Sequence, residues 1–147
     1  MAEFELAARV YFEDTDFSGL VYHARYLHFL ERGRTEALRA AGFDHAGLMA
    51  REDPMMFAVR RMAIDWIAPA RMDDLLTVRT RFFGGRGARV EARQTIERDA
   101  ARLVEATSEL VCLTPSARPR RVPPEVAAAF AAMDDAGPDD WADDGAD

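Results

Sequence analysis

Residues 10–39 read VYFEDTDFSGLVYHARYLHFLERGRTEALR and join the end of a strand pattern to a long helix pattern. Strand-forming residues at 4–12 predict a first strand, and EDTDFSGLV follows as a polar turn. From 22 to 41, apolar residues recur at spacings of three and four, which predicts an amphipathic helix. The predicted apolar stripe comprises Tyr26, Phe29, Leu30, Gly33, Ala37, Ala40 and Ala41. Glycine destabilises the interior of a helix, so the presence of Gly33 in this stripe indicates that the helix lies close to a sheet there.

Four further strands are predicted after this helix and a short helix or loop at 43–54, at residues 57–67, 75–83, 88–98 and 103–114. The turns between the last three strands are GGRG at 84–87 and residues 99–102. Such short connections indicate antiparallel hairpins. One strand, one long helix and four antiparallel strands predict an α+β fold, with the sheet packed on the helix.

The predicted domain covers residues 1–133 and ends in a short helix at 125–133. Residues 134–147 contain seven Asp and no basic residue, so we expect a disordered acidic tail. Without this tail, the chain has 19 acidic and 19 basic residues, and every basic residue is Arg. A neutral body without a basic run argues against nucleic acid as a partner.

The N-terminal residues lack the pattern of a signal peptide, and no apolar run is long enough for a transmembrane helix. We therefore expect a cytoplasmic protein.

The single cysteine, Cys112, lies inside a predicted strand and is expected to be a buried apolar side chain. His23, His28 and His45 lack the spacing of a metal site, so no metal or other cofactor is expected.

The segment between the first strand and the long helix contains the remaining candidate chemistry. Glu13, Asp14 and Asp16 precede a helix N-terminus, where free backbone N–H groups can stabilise an oxyanion. A nearby carboxylate can act as a general base or as a nucleophile. The same aspartates can instead cap the helix and shape the turn. The residues alone leave both roles open.

Residues 10–39 resemble the signature of the YbgC-type acyl-CoA thioesterases, which are associated with the Tol–Pal system. These enzymes belong to the 4-hydroxybenzoyl-CoA thioesterase branch of the hotdog superfamily. The resemblance continues through VRRMAIDWIAPARMDDLLTVRT (59–80) and covers about residues 8–125. It implies a hotdog fold, in which a five-stranded antiparallel sheet wraps around one long helix. It also implies a homodimer or homotetramer with acyl-CoA bound at the dimer interface.

The resemblance assigns catalytic roles to two groups. Asp16 matches the catalytic carboxylate, either nucleophile or general base, and the backbone N–H of His23 matches the group that polarises the thioester carbonyl. The Tyr22 amide is expected to assist. The expected substrate contacts are two loop residues and three arginines that would hold the CoA phosphates: Gly19, Val21, Arg60, Arg61 and Arg86.

Glu31 resembles a helix glutamate of the family and is interpreted as structural, paired with Arg34 or Arg60. There are two alternatives to acyl-CoA hydrolysis. The first is another hotdog enzyme: a dehydratase, which needs a His and acid arrangement that this chain lacks, or a thioesterase acting on acyl carrier protein, which would need a basic patch that the neutral body does not offer. The second is a non-catalytic adaptor that binds acyl-CoA or acyl carrier protein. Acyl chain length and the choice between dimer and tetramer are left open by the sequence.

Overall fold

A computed structural model describes residues 3–134, apart from the side chains at positions 85, 86 and 134. Apart from Asp134, the expected disordered tail therefore lies outside the described residues. The side chain of Arg86, one of the expected CoA contacts, lies outside them as well.

The described chain forms one antiparallel five-stranded sheet and three α-helices. The sheet has the order β1-β3-β4-β5-β2. The strands are β1 Phe4–Arg9, β2 Met56–Trp66, β3 Leu75–Arg86, β4 Arg89–Arg98 and β5 Ala101–Leu113. The helices are α1 Tyr26–Ala40, α2 His45–Met49 and α3 Pro124–Asp134, and short 3₁₀ turns occupy Phe12–Asp14 and His23–Arg25. The predicted α+β architecture, with a long helix packed on the sheet, is confirmed.

The boundaries differ from the predicted ones at two places that matter for the site. The first turn of the long helix is a 3₁₀ turn, so the regular helix begins at Tyr26 and not at residue 22. The predicted GGRG turn is wrong in its extent, because β3 continues through Arg86 and the connection to β4 is only two residues long. Of the predicted turn residues only Gly87 lies in this connection, with a φ of +62°.

Helix α1 crosses the sheet at Gly33. A Cβ placed on this residue would lie 2.7 Å from Val78 Cγ1, 2.8 Å from Thr80 Oγ1 and 3.0 Å from Gln94 Nε2. These distances leave no room for any side chain, so the predicted close approach of helix and sheet is confirmed. The predicted burial of Ala40 is wrong, because Leu38 is the residue that packs inward in the last turn of α1.

A buried polar network surrounds this crossing. Gln94 Nε2 donates to the carbonyl oxygen of Leu30 and to Thr80 Oγ1, both at 2.8 Å. Arg34 Nη1 donates to Gln94 Oε1 at 3.0 Å. Arg34 is also paired with Glu31, which is one of the two partners expected for that glutamate. These bonds satisfy polar groups that would otherwise be costly to bury. They fix α1 on β3 and β4.

The interior divides into two apolar groups along α1. The group at the start of α1 includes Phe29, Leu76 and Ile96. The other group contains Cys112, whose thiol is buried and whose pKa is raised by that burial, as expected for a structural cysteine. Helix α3 closes this second group, since Phe130 packs on Phe82 with ring centroids 4.6 Å apart.

Candidate active site

The loop between β1 and α1 is a compact reversal closed by backbone hydrogen bonds. Asp16 N donates to the carbonyl of Leu20, and Gly19 N donates to the carbonyl of Asp16, each at 3.0 Å. Gly19 has a φ of +79°, in the left-handed region that glycine adopts without strain. Thr15 and Val21 form an isolated antiparallel bridge beneath this reversal. The loop therefore has a defined backbone on which a side chain can be positioned.

The loop is also attached to the segment that precedes β3. Val21 N donates to the carbonyl of Ala70 at 2.9 Å, and Leu20 forms an isolated bridge with Arg71. Ala70 N in turn donates to the hydroxyl oxygen of Tyr26 at 2.9 Å. This hydroxyl is partly buried, and that burial raises the pKa of Tyr26. The loop, the first turn of α1 and this segment are thus bonded to one another.

Asp14 has a structural role in this assembly. Its side chain is buried, with the residue only 5% exposed, and both carboxylate oxygens are in use. Oδ1 accepts from Arg25 Nε and Oδ2 accepts from Tyr11 N, each at 2.7 Å. The Asp14 carbonyl also accepts from Tyr22 N at 3.0 Å. Asp14 therefore ties the end of the first strand to the start of the helix.

Asp16 has the opposite environment. It is exposed, and its Oδ1 accepts from Ser18 N at 2.8 Å and from the Ser18 hydroxyl. Within residues 3–134, no group donates to Oδ2. The pKa of Asp16 is held below its ordinary value, first by the Ser18 hydroxyl, then by the Ser18 N–H, with a smaller contribution from His23. Asp16 is thus a charged carboxylate with one oxygen available.

The turn that follows offers a free backbone donor. Tyr22 is the N-cap of the His23–Arg25 turn, and its carbonyl accepts from Arg25 N at 2.8 Å. The N–H of His23 finds no acceptor in the described part of the chain, as expected for the first N–H of a helical turn. The Tyr22 N–H, which was expected to assist, already donates to the Asp14 carbonyl at 3.0 Å.

Trp66, at the end of β2, holds this turn from the other side. Its indole Nε1 donates to the carbonyl of His23 at 3.1 Å. The His23 ring lies edge-on between two aromatic rings, 4.6 Å from Tyr22 and 6.1 Å from Trp66 between centroids. No role was predicted for Trp66, although a tryptophan at a predicted strand end and shortly before Pro69 was an available signal.

Residues of the loop line two open clefts. The first contains Asp16 and is lined by Phe12, Thr15, Asp16, Phe17, Gly19 and Met72. The second contains His23 and is lined by Leu20, Val21, His23, Tyr26, Trp66, Ile67, Ala68 and Pro69. Gly19 and Val21, both expected to contact substrate, line one cleft each. Phe17 and Phe12 are highly exposed apolar side chains, so the first cleft has an apolar wall.

The arginines expected at the CoA phosphates lie elsewhere in the chain. Arg61 is exposed and stands five residues before Trp66, about 17 Å away at the usual rise of a strand. Arg60 Nη1 is paired with Glu109 Oε1 at 2.7 Å. Among the described residues, no hydrogen bond or ion pair joins Arg60 or Arg61 to the loop that carries Asp16.

Residues 3–134 contain no group of three or more His, Cys, Asp or Glu side chains placed to hold a metal ion. None of the described helices combines the length and apolar character needed to cross a bilayer.

The sheet wrapped on a long helix, with a carboxylate loop before its first turn, defines a hotdog-fold protein of the thioesterase class. The model of the thioesterase superfamily matches residues 18–105. The acyl-CoA thioesterase YbgC of Haemophilus influenzae is 43% identical over 128 residues, which is 86% of this chain and 93% of that protein. The chain therefore belongs to the YbgC family of the thioesterase superfamily, which confirms the resemblance and the expectation of a thioester hydrolase.

Solved structures agree with this assignment. A probable thioesterase from Bartonella henselae is 44% identical, with a TM-score of 0.80, and the match covers 83% of this chain and 100% of that one. A 4-hydroxybenzoyl-CoA thioesterase in complex with 4-hydroxybenzoyl-CoA is 16% identical with a TM-score of 0.82, covering 88% of this chain and 99% of that one. The second match supports the fold alone, and the expected hotdog fold is confirmed.

Proposed function

We propose that the protein hydrolyses acyl-CoA to a free acid and CoA, with Asp16 and the His23 backbone amide as its catalytic groups. This proposal rests on one observation. The loop and the turn, which are bonded to each other, contain both a charged carboxylate with a free oxygen, at Asp16, and a free N–H, at His23. The names of the relatives, acyl-CoA thioesterase and acyl-CoA thioester hydrolase, support the substrate class.

The chemistry needs a nucleophile, a site for the oxyanion and a leaving group. As the carbonyl carbon is attacked, its oxygen gains an electron pair and accepts from the His23 N–H at the positive end of the helix. Asp16 either takes a proton from the attacking water or attacks the carbonyl itself to give an anhydride that water then hydrolyses. In both routes the C–S bond breaks and CoA leaves as the thiolate. The thiolate or the solvent takes up the proton released from water, so Asp16 returns to its carboxylate form and one water is consumed.

We also propose that the enzyme acts in the cytoplasm as a homodimer or homotetramer. Strand β2 lies at the sheet edge, where its outer backbone groups have no strand partner among the described residues. The exposed side chains Val59, Trp66 and Ile67 lie on or next to this edge. Such an edge favours pairing with a second copy. Arg60 and Arg61 lie on the same strand and would be carried towards the partner's substrate, as would be needed for CoA phosphate binding.

A thiol-release assay tests this function. Short, long and aromatic acyl-CoAs are offered separately, with an acyl thioester of acyl carrier protein as a competing substrate. We expect release of CoA from at least one acyl-CoA class and loss of that release in the Asp16→Asn variant. Binding of acyl-CoA without release from any class would contradict hydrolysis and favour an adaptor.

The Trp66→Phe variant tests the role of the His23 turn. Phenylalanine keeps an aromatic ring but removes the indole N–H that donates to the His23 carbonyl. We expect kcat/KM to fall about fivefold, the factor that one hydrogen bond of average strength is worth, with little change in melting temperature. A kcat/KM value for Trp66→Phe equal to that of the native enzyme would contradict this role.

A further inference from the structure

The Ser18 hydroxyl has a defined direction. Leu20 N lies 3.3 Å from Ser18 Oγ, and because an N–H group can only donate, Ser18 Oγ is the acceptor there. The Ser18 proton is then free to point at the second neighbour of the hydroxyl, Oδ1 of Asp16. The Ser18 backbone N–H donates to the same oxygen at 2.8 Å. Two donors from one residue therefore hold a single oxygen of the Asp16 carboxylate.

We propose that Ser18 is a positioning residue that holds Oδ1 of Asp16, so that Oδ2 is the oxygen that acts on substrate or water. This inference rests on the proposed function, because it specifies how the catalytic carboxylate is oriented. An exposed aspartate otherwise rotates freely and presents either oxygen. Holding one oxygen removes that freedom before substrate binds, and preorganisation of this kind raises the rate of an attack step.

The same contacts favour the charged form of Asp16. A carboxylate accepts both Ser18 donors, whereas a protonated acid accepts them less well, so removal of the hydroxyl shifts the pKa of Asp16 upward. The reactive form is the carboxylate in both routes of hydrolysis. The rate is therefore lost as pH falls through this pKa, and a higher pKa moves the acid limb of the pH profile to higher pH.

Other charges around the loop are unchanged by a substitution at Ser18. On the loop and the following turn, Arg25 is paired with Glu13 and Asp14. On the segment before β3, Asp74 is paired with Arg98. The remaining charged or titratable side chains of these two elements are Tyr11, Tyr22, His23, Tyr26, Arg71 and Asp73. His23 lowers the pKa of Asp16 in the native chain, and this effect remains in the variants.

The test compares Ser18→Ala with Ser18→Thr, which keeps the hydroxyl. Ser18 is exposed, so both variants should fold. Two quantities are measured: the NMR titration midpoint of the Asp16 carboxyl carbon, whose signal is identified by its loss in Asp16→Asn, and the pH profile of kcat/KM. In Ser18→Ala we expect both midpoints to lie at higher pH. We also expect the plateau of kcat/KM at high pH to be about fivefold lower, which is the factor that one hydrogen bond is worth. Ser18→Thr should restore the native midpoints.

The control is Ser116→Ala, which removes an exposed hydroxyl whose hydrogen-bond partner among residues 3–134 is Thr114 Oγ1, at 3.0 Å. It should leave both midpoints and the plateau unchanged. Native midpoints in Ser18→Ala would overturn the inference. If Asp16→Asn is inactive while Ser18→Ala is native, only the role of Ser18 fails. If Asp16→Asn is fully active, the proposed catalytic role fails, and the NMR midpoint still decides whether Ser18 holds the carboxylate.

Discussion

Asp16→Asn is expected to lower kcat by about a hundredfold to ten-thousandfold, the range attributed to a positioned general base. Asparagine has nearly the same shape and its side-chain oxygen can still accept from Ser18, so the loop should keep its conformation. The amide can neither take a proton from water nor attack a thioester. Because Asp16 is exposed, the free energy of unfolding should change by less than about 0.5 kcal/mol. Thiol release and thermal unfolding measure the two quantities.

Asp14→Asn is the matched comparison, two residues away in the same loop. Asp14 is buried and its carboxylate accepts from Arg25 and Tyr11, so this variant should lose about 1.5–3 kcal/mol of stability, the worth of hydrogen bonds to a charged group. Its activity should fall less than that of Asp16→Asn, because Asp16 remains. Near-normal turnover in Asp16→Asn, or an equal loss of activity in both variants, would contradict the assignment of the two aspartates.

Gly33→Val is expected to lower the free energy of unfolding by about 3 kcal/mol. Overpacking at a tight contact costs about 1–3 kcal/mol, and the new side chain would meet Val78, Thr80 and Gln94. Displacing Gln94 would also break the bonds that it makes to the helix and to β3. At about 3 °C per kcal/mol for a chain of this size, the melting temperature should fall by about 10 °C.

Ala40→Val is the control for this prediction, because it introduces the same side chain on the same helix at an exposed position. It carries only the modest helix-propensity cost of a β-branched residue, about 0.5 kcal/mol. Thermal or denaturant unfolding of both variants gives the comparison. A Gly33→Val protein as stable as Ala40→Val would mean that α1 does not lie as close to the sheet as described.

Much of the fold was predictable because regular structure leaves a period in the sequence. Apolar residues at spacings of three and four marked α1, and alternating residues at 75–83 and 88–98 marked β3 and β4. The apolar stripe of α1 did not predict the burial of Arg34, because arginine side chains are usually exposed to solvent. Its burial depends on Gln94, which lies 60 residues further along the chain.

The candidate site was predictable only in part. The family resemblance singled out Asp16 and His23, whereas the local sequence treated Asp14 and Asp16 alike. The structure separates them by burial and bonding, since Asp14 is enclosed and Asp16 is open. It also shows that the Tyr22 amide is already bonded, which depends on the path of the loop and not on residue type.

The sequence by itself determined the type and approximate extent of each main element, the family and the loop that carries the candidate carboxylate. These follow from local periodicity and from a contiguous signature. Only the tertiary structure decided the sheet order, the contact of Trp66 with the His23 turn and the orientation of Asp16 by Ser18. The physical reason is that hydrogen bonds depend on distances and angles between atoms. Folding sets these for Trp66 and His23, 43 residues apart, and the turn geometry sets them for Ser18.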